Sequence, residues 1–122
     1  MIGYITLGTN DIQRAAKFYD SLLAVVGAKR ALEMPNFIAW ATGPGSPMLS
    51  VIKPHDGKPA TVGNGVMVAL VAKSKEQVDA IYKKAIELGG KDEGPAGPRG
   101  DIFYAGYFRD LDGNKLNVFY KA

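Results

Sequence analysis

Side chains that most often act as acids, bases or nucleophiles are scarce in this sequence. The chain of 122 residues has one histidine, His55, and no cysteine. Disulfide scaffolds, thiolate zinc sites, iron–sulfur clusters and cysteine nucleophiles are thereby excluded, and so is a multi-histidine metal site within one chain. His55 is the obvious candidate for a general base, because imidazole exchanges protons readily near neutral pH.

The surroundings of His55 favour an ordinary exposed side chain. It lies in the segment Lys53–Pro59, which also contains Pro54, Gly57 and Pro59 and is typical of a linker. If this linker folded over a cavity, His55 would be able to bind an anionic ligand. Arg99 lies in another Gly- and Pro-rich segment, where it would pair with a ligand carboxylate or with a surface acid, Asp101 or Glu93.

Composition and charge disfavour several classes of partner. The formal net charge is +3, with 15 basic and 12 acidic residues. The basic residues are scattered, so neither a nucleic acid nor a membrane surface is an expected partner. The N-terminal residues lack a basic stretch followed by a hydrophobic core, so we expect a soluble, cytoplasmic protein.

Hydrophobic periodicity predicts the elements that must position these side chains. Alternating apolar residues predict strands, and i, i+3, i+4 spacing predicts helices. Helices are expected after the capping residues Asp11 and Ser74. The predicted strands are 1–7, 29–34, 37–41, 48–52, 66–72, 103–109 and 115–120. The segment 91–101 is predicted to be a loop because glycine and proline dominate it.

The order of these elements occurs twice, and residues match at a nearly constant offset. Tyr19 and Tyr82 are 63 positions apart (82 − 19), and Trp40 and Tyr107 are 67 apart (107 − 40). This repetition predicts an α+β fold of two repeated βαβββ units, whose curved mixed sheet surrounds a cavity while the helices lie outside. The chain is expected to form one domain, 1–122. Its predicted parts are unit one over about 1–53, a linker over about 54–64 and unit two over about 65–122.

Two segments carry a family resemblance. The first consists of Tyr4-Ile-Thr-Leu-Gly-Thr-Asn-Asp11 and, two residues later, Arg14-Ala-Ala-Lys-Phe-Tyr19. The second is Phe108–Leu116, which is similar to the signature F-x-D-P-D-G-N-x-(I/L)-E. Together they resemble the vicinal oxygen chelate superfamily, which comprises glyoxalases, bleomycin-resistance proteins and extradiol dioxygenases. Residues 53–65 are similar to an uncharacterised glyoxalase-like subfamily.

The resemblance implies four positions for metal ligands in the metal-dependent members of the family. The matching residues in this sequence are Tyr4, Ser50, Met67 and Asn117. A phenol, a hydroxyl, a thioether and an amide are poor substitutes for the imidazole and carboxylate ligands of divalent metals. We therefore expect no metal and no other cofactor.

The same resemblance implies a small-molecule pocket. Its expected lining has aromatic and apolar side chains with a few hydrogen-bonding groups, which is typical of ligand sites. The pocket candidates are Tyr4, Trp40, Ser50, Met67, Tyr107 and Asn117, with His55 and Arg99 from the neighbouring loops. Trp40 and Met67 are alternatively core residues, and Asn117 alternatively bonds only to backbone.

Three functions remain compatible with these observations. The first is a metal-free protein of the bleomycin-resistance type that binds a neutral or anionic small molecule. The second is a glyoxalase-like lyase or isomerase with an atypical or lost metal site. The third is an assembly or regulatory component with a vestigial pocket. The resemblance also implies a homodimer.

Overall fold

The computed structural model describes the whole chain, Met1–Ala122. The chain forms two compact units, Met1–Val62 and Gly63–Ala122. The first unit contains β1 (Tyr4–Gly8), α1 (Ile12–Ala24), β2 (Lys29–Met34), β3 (Phe37–Ala41) and β4 (Met48–Ile52). The second contains β5 (Val68–Val71), α2 (Lys75–Glu87), β6 (Lys91–Arg99), β7 (Phe103–Arg109) and β8 (Lys115–Lys121). Neither helix is long and apolar enough to cross a membrane.

Each unit has a four-stranded mixed sheet with the same topology. The strand order is β1-β4-β3-β2 in sheet 1 and β5-β8-β7-β6 in sheet 2. The first strand of each unit pairs in parallel with the last, and the remaining pairs are antiparallel. The predicted α+β fold with two repeated βαβββ units is confirmed.

The predicted capping residues start both helices. The Asp11 side chain accepts a hydrogen bond from the backbone N–H of Arg14 at the start of α1. Ser74 accepts the corresponding bond from Gln77 at the start of α2. A short polar side chain at this position satisfies a backbone donor that has no partner within the helix.

Each helix packs its apolar stripe against one face of its own sheet. The buried side chains of α1 include Tyr19 and Leu22, and those of α2 are Val78, Ile81 and Ala85. Because side chains alternate along a strand, only every second sheet residue faces the helix. We call the other side of each sheet its helix-free face.

The strand register corrects the offset that relates the two units. Ser50 of β4 lies opposite Ala39 of β3, and Asn117 of β8 lies opposite Tyr107 of β7. Ser50 and Asn117 are 67 positions apart (117 − 50), as predicted. Ala39 and Tyr107, however, are 68 apart (107 − 39), so the predicted offset for these strands is one residue too short.

This difference moves Trp40 to the opposite face from Tyr107. The counterpart of Trp40 is Phe108, and both are almost fully buried, at 2% and 0% exposed. The offset between the units changes from 68 to 67 at this hairpin, because the loop 42–47 in unit one is one residue longer than the loop 110–114 in unit two. A shift of one residue along a strand exchanges the two faces of a sheet.

The predicted loop over 91–101 is also wrong, because most of it forms strand β6. This strand pairs antiparallel with β7, and its register shifts between Asp92 and Gly94 and again between Gly94 and Gly97. It is an edge strand of sheet 2. Proline is tolerated at such edges, and glycine often marks bulges there.

Candidate functional site

Asn117 and Tyr107 lie side by side on the helix-free face of sheet 2. The hydroxyl of Tyr104 donates to Asp79 of α2, so alternate residues of β7, including Tyr107, point away from the helix. Asn117 shares this face because it is the register partner of Tyr107. It is only 6% exposed, and its Oδ1 has no hydrogen-bond partner. Buried polar atoms are almost always satisfied, so this oxygen is a candidate for contact with a ligand.

Two cations flank the Tyr107 ring. The Arg99 guanidinium carbon lies 5.5 Å from the ring centroid, and the Lys115 ammonium nitrogen lies 5.7 Å from it. One comes from β6 and the other from β8, on either side of β7 in the sheet. Both distances fall within the range of a cation–π contact.

Backbone carbonyls hold the Arg99 side chain in this position. Its Nη2 donates to Pro95 at 2.7 Å, and its Nη1 contacts the carbonyls of Gly97 and Pro98. A Cβ at Gly94 would lie 3.3 Å from the Arg99 Nη2 and 3.4 Å from the Tyr107 ring. Glycine at position 94 therefore leaves the space through which the guanidinium reaches the ring. Arg99 pairs with neither Asp101 nor Glu93.

Glu93 is instead neutralised by another arginine. Its carboxylate accepts a hydrogen bond from the Arg109 Nε at 2.7 Å. That bond, with the charges of Arg109, Lys91 and Lys115, holds the pKa of Glu93 below its usual range. Arg109 also donates to the carbonyl of Gly113, so it braces the β7–β8 turn.

Ser50 occupies the helix-free face of sheet 1. It lies on β4 between Thr6 of β1 and Ala39 of β3, is 0% exposed, and its Oγ has no hydrogen-bond partner. The rings of Tyr4 and Phe37, from the strands on either side, meet edge to face at 6.1 Å. Tyr4 remains 58% exposed, so aromatic surface adjoins the buried hydroxyl.

Trp40 is not part of either helix-free face. Its ring packs 5.7 Å from that of Tyr19 on α1, and its Nε1 donates to Asp20 at 2.8 Å. Arg30 donates to both oxygens of the same carboxylate. The bond from Arg30, followed by that from Trp40, keeps the pKa of Asp20 below its ordinary value despite partial burial. Trp40 therefore belongs to the core between sheet 1 and α1, and its prediction as a pocket residue is corrected.

The remaining candidates lie outside the sheets. Met67 directly precedes β5 and is 40% exposed. His55 lies in an exposed turn closed by a hydrogen bond from the Gly57 N–H to the Pro54 carbonyl. The structure thus brings Tyr107, Asn117 and Arg99 together on one face, and Tyr4 and Ser50 on another.

Sequence reasoning missed Lys115. A signal was present, because Lys115 and Asn117 are two positions apart in a predicted strand and must share a face. Its contact with Tyr107 depends on the pairing of β7 with β8, and no local pattern reveals that register.

Two cavities are lined by other residues than Ser50, Asn117 and their neighbours. One of about 490 Å³ is lined by Gly27, Arg30, Thr42 and their neighbours, beside the β2–β3 edge. The other, of about 210 Å³, lies between Thr9, Asn10 and the segment from Lys53 to Pro59. Neither contains a buried polar side-chain atom without a partner. We therefore place the candidate site on the helix-free faces.

The residues do not fit the divalent metal that the family resemblance implies. No three or more side chains of the types His, Cys, Asp and Glu are grouped so that they could hold a metal ion. The orphaned atoms at the implied positions are a hydroxyl oxygen on Ser50 and an amide oxygen on Asn117. Tyr4 and Met67 offer a phenol and a thioether, which are weak ligands for Zn, Ni or Fe.

The chain is similar to solved structures over its whole length. A glyoxalase/bleomycin resistance protein from Albidiferax ferrireducens T118 has 33% identity and a TM-score of 0.92, with 100% of this chain and 99% of that one covered. A lactoylglutathione lyase from Agrobacterium tumefaciens has 24% identity and a TM-score of 0.71, with 98% and 92% covered. TioX from Micromonospora sp. ML1 has 17% identity and a TM-score of 0.72, with 100% and 99% covered.

The last two similarities concern the fold alone. No curated protein matches the chain. The family model described as Glyoxalase/Bleomycin resistance protein/Dioxygenase superfamily matches residues 1–118. With two βαβββ units and this match over nearly its full length, the chain belongs to the glyoxalase/bleomycin resistance protein/dioxygenase superfamily, the vicinal oxygen chelate group.

Proposed function

We propose that this protein binds a small molecule without a metal ion, on the helix-free faces of its sheets. One observation carries the proposal. Ser50 and Asn117 occupy equivalent positions in the two units, and they hold the buried side-chain polar atoms that lack a partner. Leaving such an atom unpaired costs about 1–3 kcal/mol, so a ligand that pairs with it gains affinity.

The neighbouring side chains support a small organic ligand. Tyr4 and Phe37 adjoin Ser50, and Tyr107 adjoins Asn117. Aromatic surface with a few polar atoms is the usual composition of a small-molecule site. The cations Arg99 and Lys115 favour a neutral or anionic ligand over a cationic one.

The metal-free part of the proposal rests on ligand chemistry. The four implied positions offer no imidazole and no carboxylate. A glyoxalase-like lyase or isomerase that polarises its substrate through a metal would need other ligands, such as His55 with nearby acids. Metal content therefore distinguishes the binding protein from the metal-dependent enzyme.

The proposal includes a homodimer in the cytoplasm. Leu32 and Met34 of β2 and Val71 of β5 are apolar and between 45% and 70% exposed on edge strands. Contact between two copies would remove such apolar surface from water, which supports self-association. The cysteine-free sequence suits a reducing compartment, and its scattered charges favour neither nucleic acid nor membrane as a partner.

Elemental mass spectrometry on the untagged protein, with melting scans in added Ni, Zn, Mn and Fe, tests the metal-free assignment. We expect sub-stoichiometric metal and an unchanged melting temperature. One tightly held metal ion per chain would overturn the assignment and favour the enzyme, because a metal that binds the folded state must raise its melting temperature.

A further inference from the structure

The immediate surroundings of Ser50 and Asn117 differ in charge, although the two units have equivalent folds. Ser50 is surrounded by Thr6, Ala39, Tyr4 and Phe37, none of which is charged. The face around Asn117, in contrast, carries basic side chains from β6, β7 and β8. A ligand group that recognises this difference must itself be charged, and it must bind at sheet 2.

Two of these cations form no ion pair. Arg99 is held only by backbone carbonyls, and its Nε makes no hydrogen bond. Lys115 contacts the Tyr107 ring but forms no ion pair. The nearby acid, Glu93, is bound to Arg109 at 2.7 Å. The face therefore has an excess of positive charge that is already positioned, so an anion would bind with little reorganisation.

The Asn117 oxygen adds a second requirement. An amide Oδ1 accepts hydrogen bonds and cannot donate them. A ligand that satisfies it must present an N–H or O–H group. Lys115 and Asn117 are two residues apart on one face of β8, about 7 Å along the strand. A single aromatic ring with groups at its opposite ends spans that distance.

We propose that the helix-free face of sheet 2 binds a planar aromatic carboxylate that carries a hydrogen-bond donor at the far end of its ring. The carboxylate is attracted by Arg99 and Lys115, the ring lies against Tyr107, and the donor bonds to the Asn117 Oδ1. This inference rests on the proposed small-molecule function and names the ligand class for one of the two faces.

Three matched probes separate the two requirements by isothermal titration calorimetry. para-Aminobenzoate has both groups, para-toluate replaces the amine by a methyl group, and para-aminobenzamide replaces the carboxylate by a neutral amide. We expect para-aminobenzoate to bind at least about tenfold more tightly than either analogue, because each lost contact is a charge-assisted or otherwise unsatisfied hydrogen bond. Equal affinity for para-aminobenzamide would overturn the anion requirement, and equal affinity for para-toluate would overturn the donor requirement.

Single substitutions test whether para-aminobenzoate binds at this face. Arg99→Met and Lys115→Met should each weaken para-aminobenzoate binding several-fold while leaving para-aminobenzamide unaffected. Lys83→Met is the matched control, because it removes the same charge from an exposed position on α2, with a side chain that is 79% exposed. A loss of affinity in all three variants would indicate nonspecific attraction and overturn the inference.

The outcomes also separate this inference from the proposed function. If neutral probes bind and Asn117→Ala abolishes that binding while Arg99→Met does not, the small-molecule function stands and the anionic ligand class is wrong. Absence of any para-aminobenzoate binding would likewise overturn the ligand class. A stoichiometric metal ion at these positions would overturn the proposed function itself.

Discussion

Ser50 and Asn117 occupy equivalent positions in the two units. Ser50 lies on β4, between β1 and β3, and Asn117 lies on β8, between β5 and β7. Each is buried, and each has an unpartnered oxygen on the helix-free face. Their register partners at the equivalent positions 39 and 107 are alanine and tyrosine. Both units thus have a polar side chain where packing alone favours an apolar one.

Replacing Ser50 by alanine should leave the free energy of unfolding within about 0.5 kcal/mol, or raise it, because the hydroxyl has no hydrogen bond to lose. Ser74→Ala is the matched control. Its hydroxyl caps α2, so that variant should lose about 1 kcal/mol. Urea unfolding of both variants measures the difference, and an equal loss in the two would show that Ser50 has a partner in the folded protein.

Asn117→Ala should weaken ligand binding more than it lowers stability. The substitution removes an unsatisfied oxygen, so we expect the free energy of unfolding to change by less than about 1 kcal/mol. Melting curves with and without ligand report both quantities. A large fall in melting temperature with unchanged affinity would contradict the role assigned to this side chain.

Gly106→Ala should destabilise unit two through contact with Tyr82. A Cβ at position 106 would lie 3.0 to 3.2 Å from three atoms of the Tyr82 side chain. Such overpacking costs about 1–3 kcal/mol. Gly3→Ala is the control, because nothing lies within 4 Å of the added atom. Equal unfolding midpoints for the two variants would refute the close packing of α2 on β7.

The Asp20 carboxylate should make stability depend on pH in the acid range. The Arg30 bond keeps the pKa of Asp20 in the folded protein below its ordinary value of 3.8. The stabilisation is therefore present above that ordinary value and is lost as pH falls through the lower folded-state pKa. Asp20→Asn should unfold more easily than wild type near neutral pH, with the difference shrinking in acid. A difference that is constant with pH would contradict this linkage.

Much of the fold follows from local sequence patterns. The capping residues Asp11 and Ser74 predict both helix starts. The strands 29–34, 37–41, 48–52 and 103–109 were predicted with the bounds that the structure shows. These elements have alternating or periodic apolar residues, and their turns contain glycine, proline or aspartate, so local physics agrees with the global fold.

Strand β6 could not be predicted in the same way. Its residues Gly94, Pro95, Gly97 and Pro98 have low strand propensity, and they form a strand only because β7 offers an edge to pair with. The same glycines make space for the Arg99 side chain. A tertiary contact therefore decides both the secondary structure and the position of a candidate ligand-binding residue.

The structure shows which of the predicted site residues share a face. Tyr107 and Asn117 share a face, as do Tyr4 and Ser50, but Trp40 faces α1. The counterpart of Trp40 in unit two is Phe108. The sequence pattern matches Trp40 with Tyr107 instead, because the β3–β4 loop is one residue longer than the β7–β8 loop. Which face a strand residue occupies depends on register, and register is fixed by pairing that spacing alone does not reveal.

The most direct test of the central claim is a small-molecule fragment screen read by NMR, with the Asn117 side-chain amide and the Ser50 backbone amide as reporters. The account predicts that bound fragments shift these resonances, and that Asn117→Ala or Ser50→Ala reduces their affinity. Fragments that shift only residues around Gly27 and Thr42, or around Lys53 and Pro59, would place the site in one of the two cavities and contradict it.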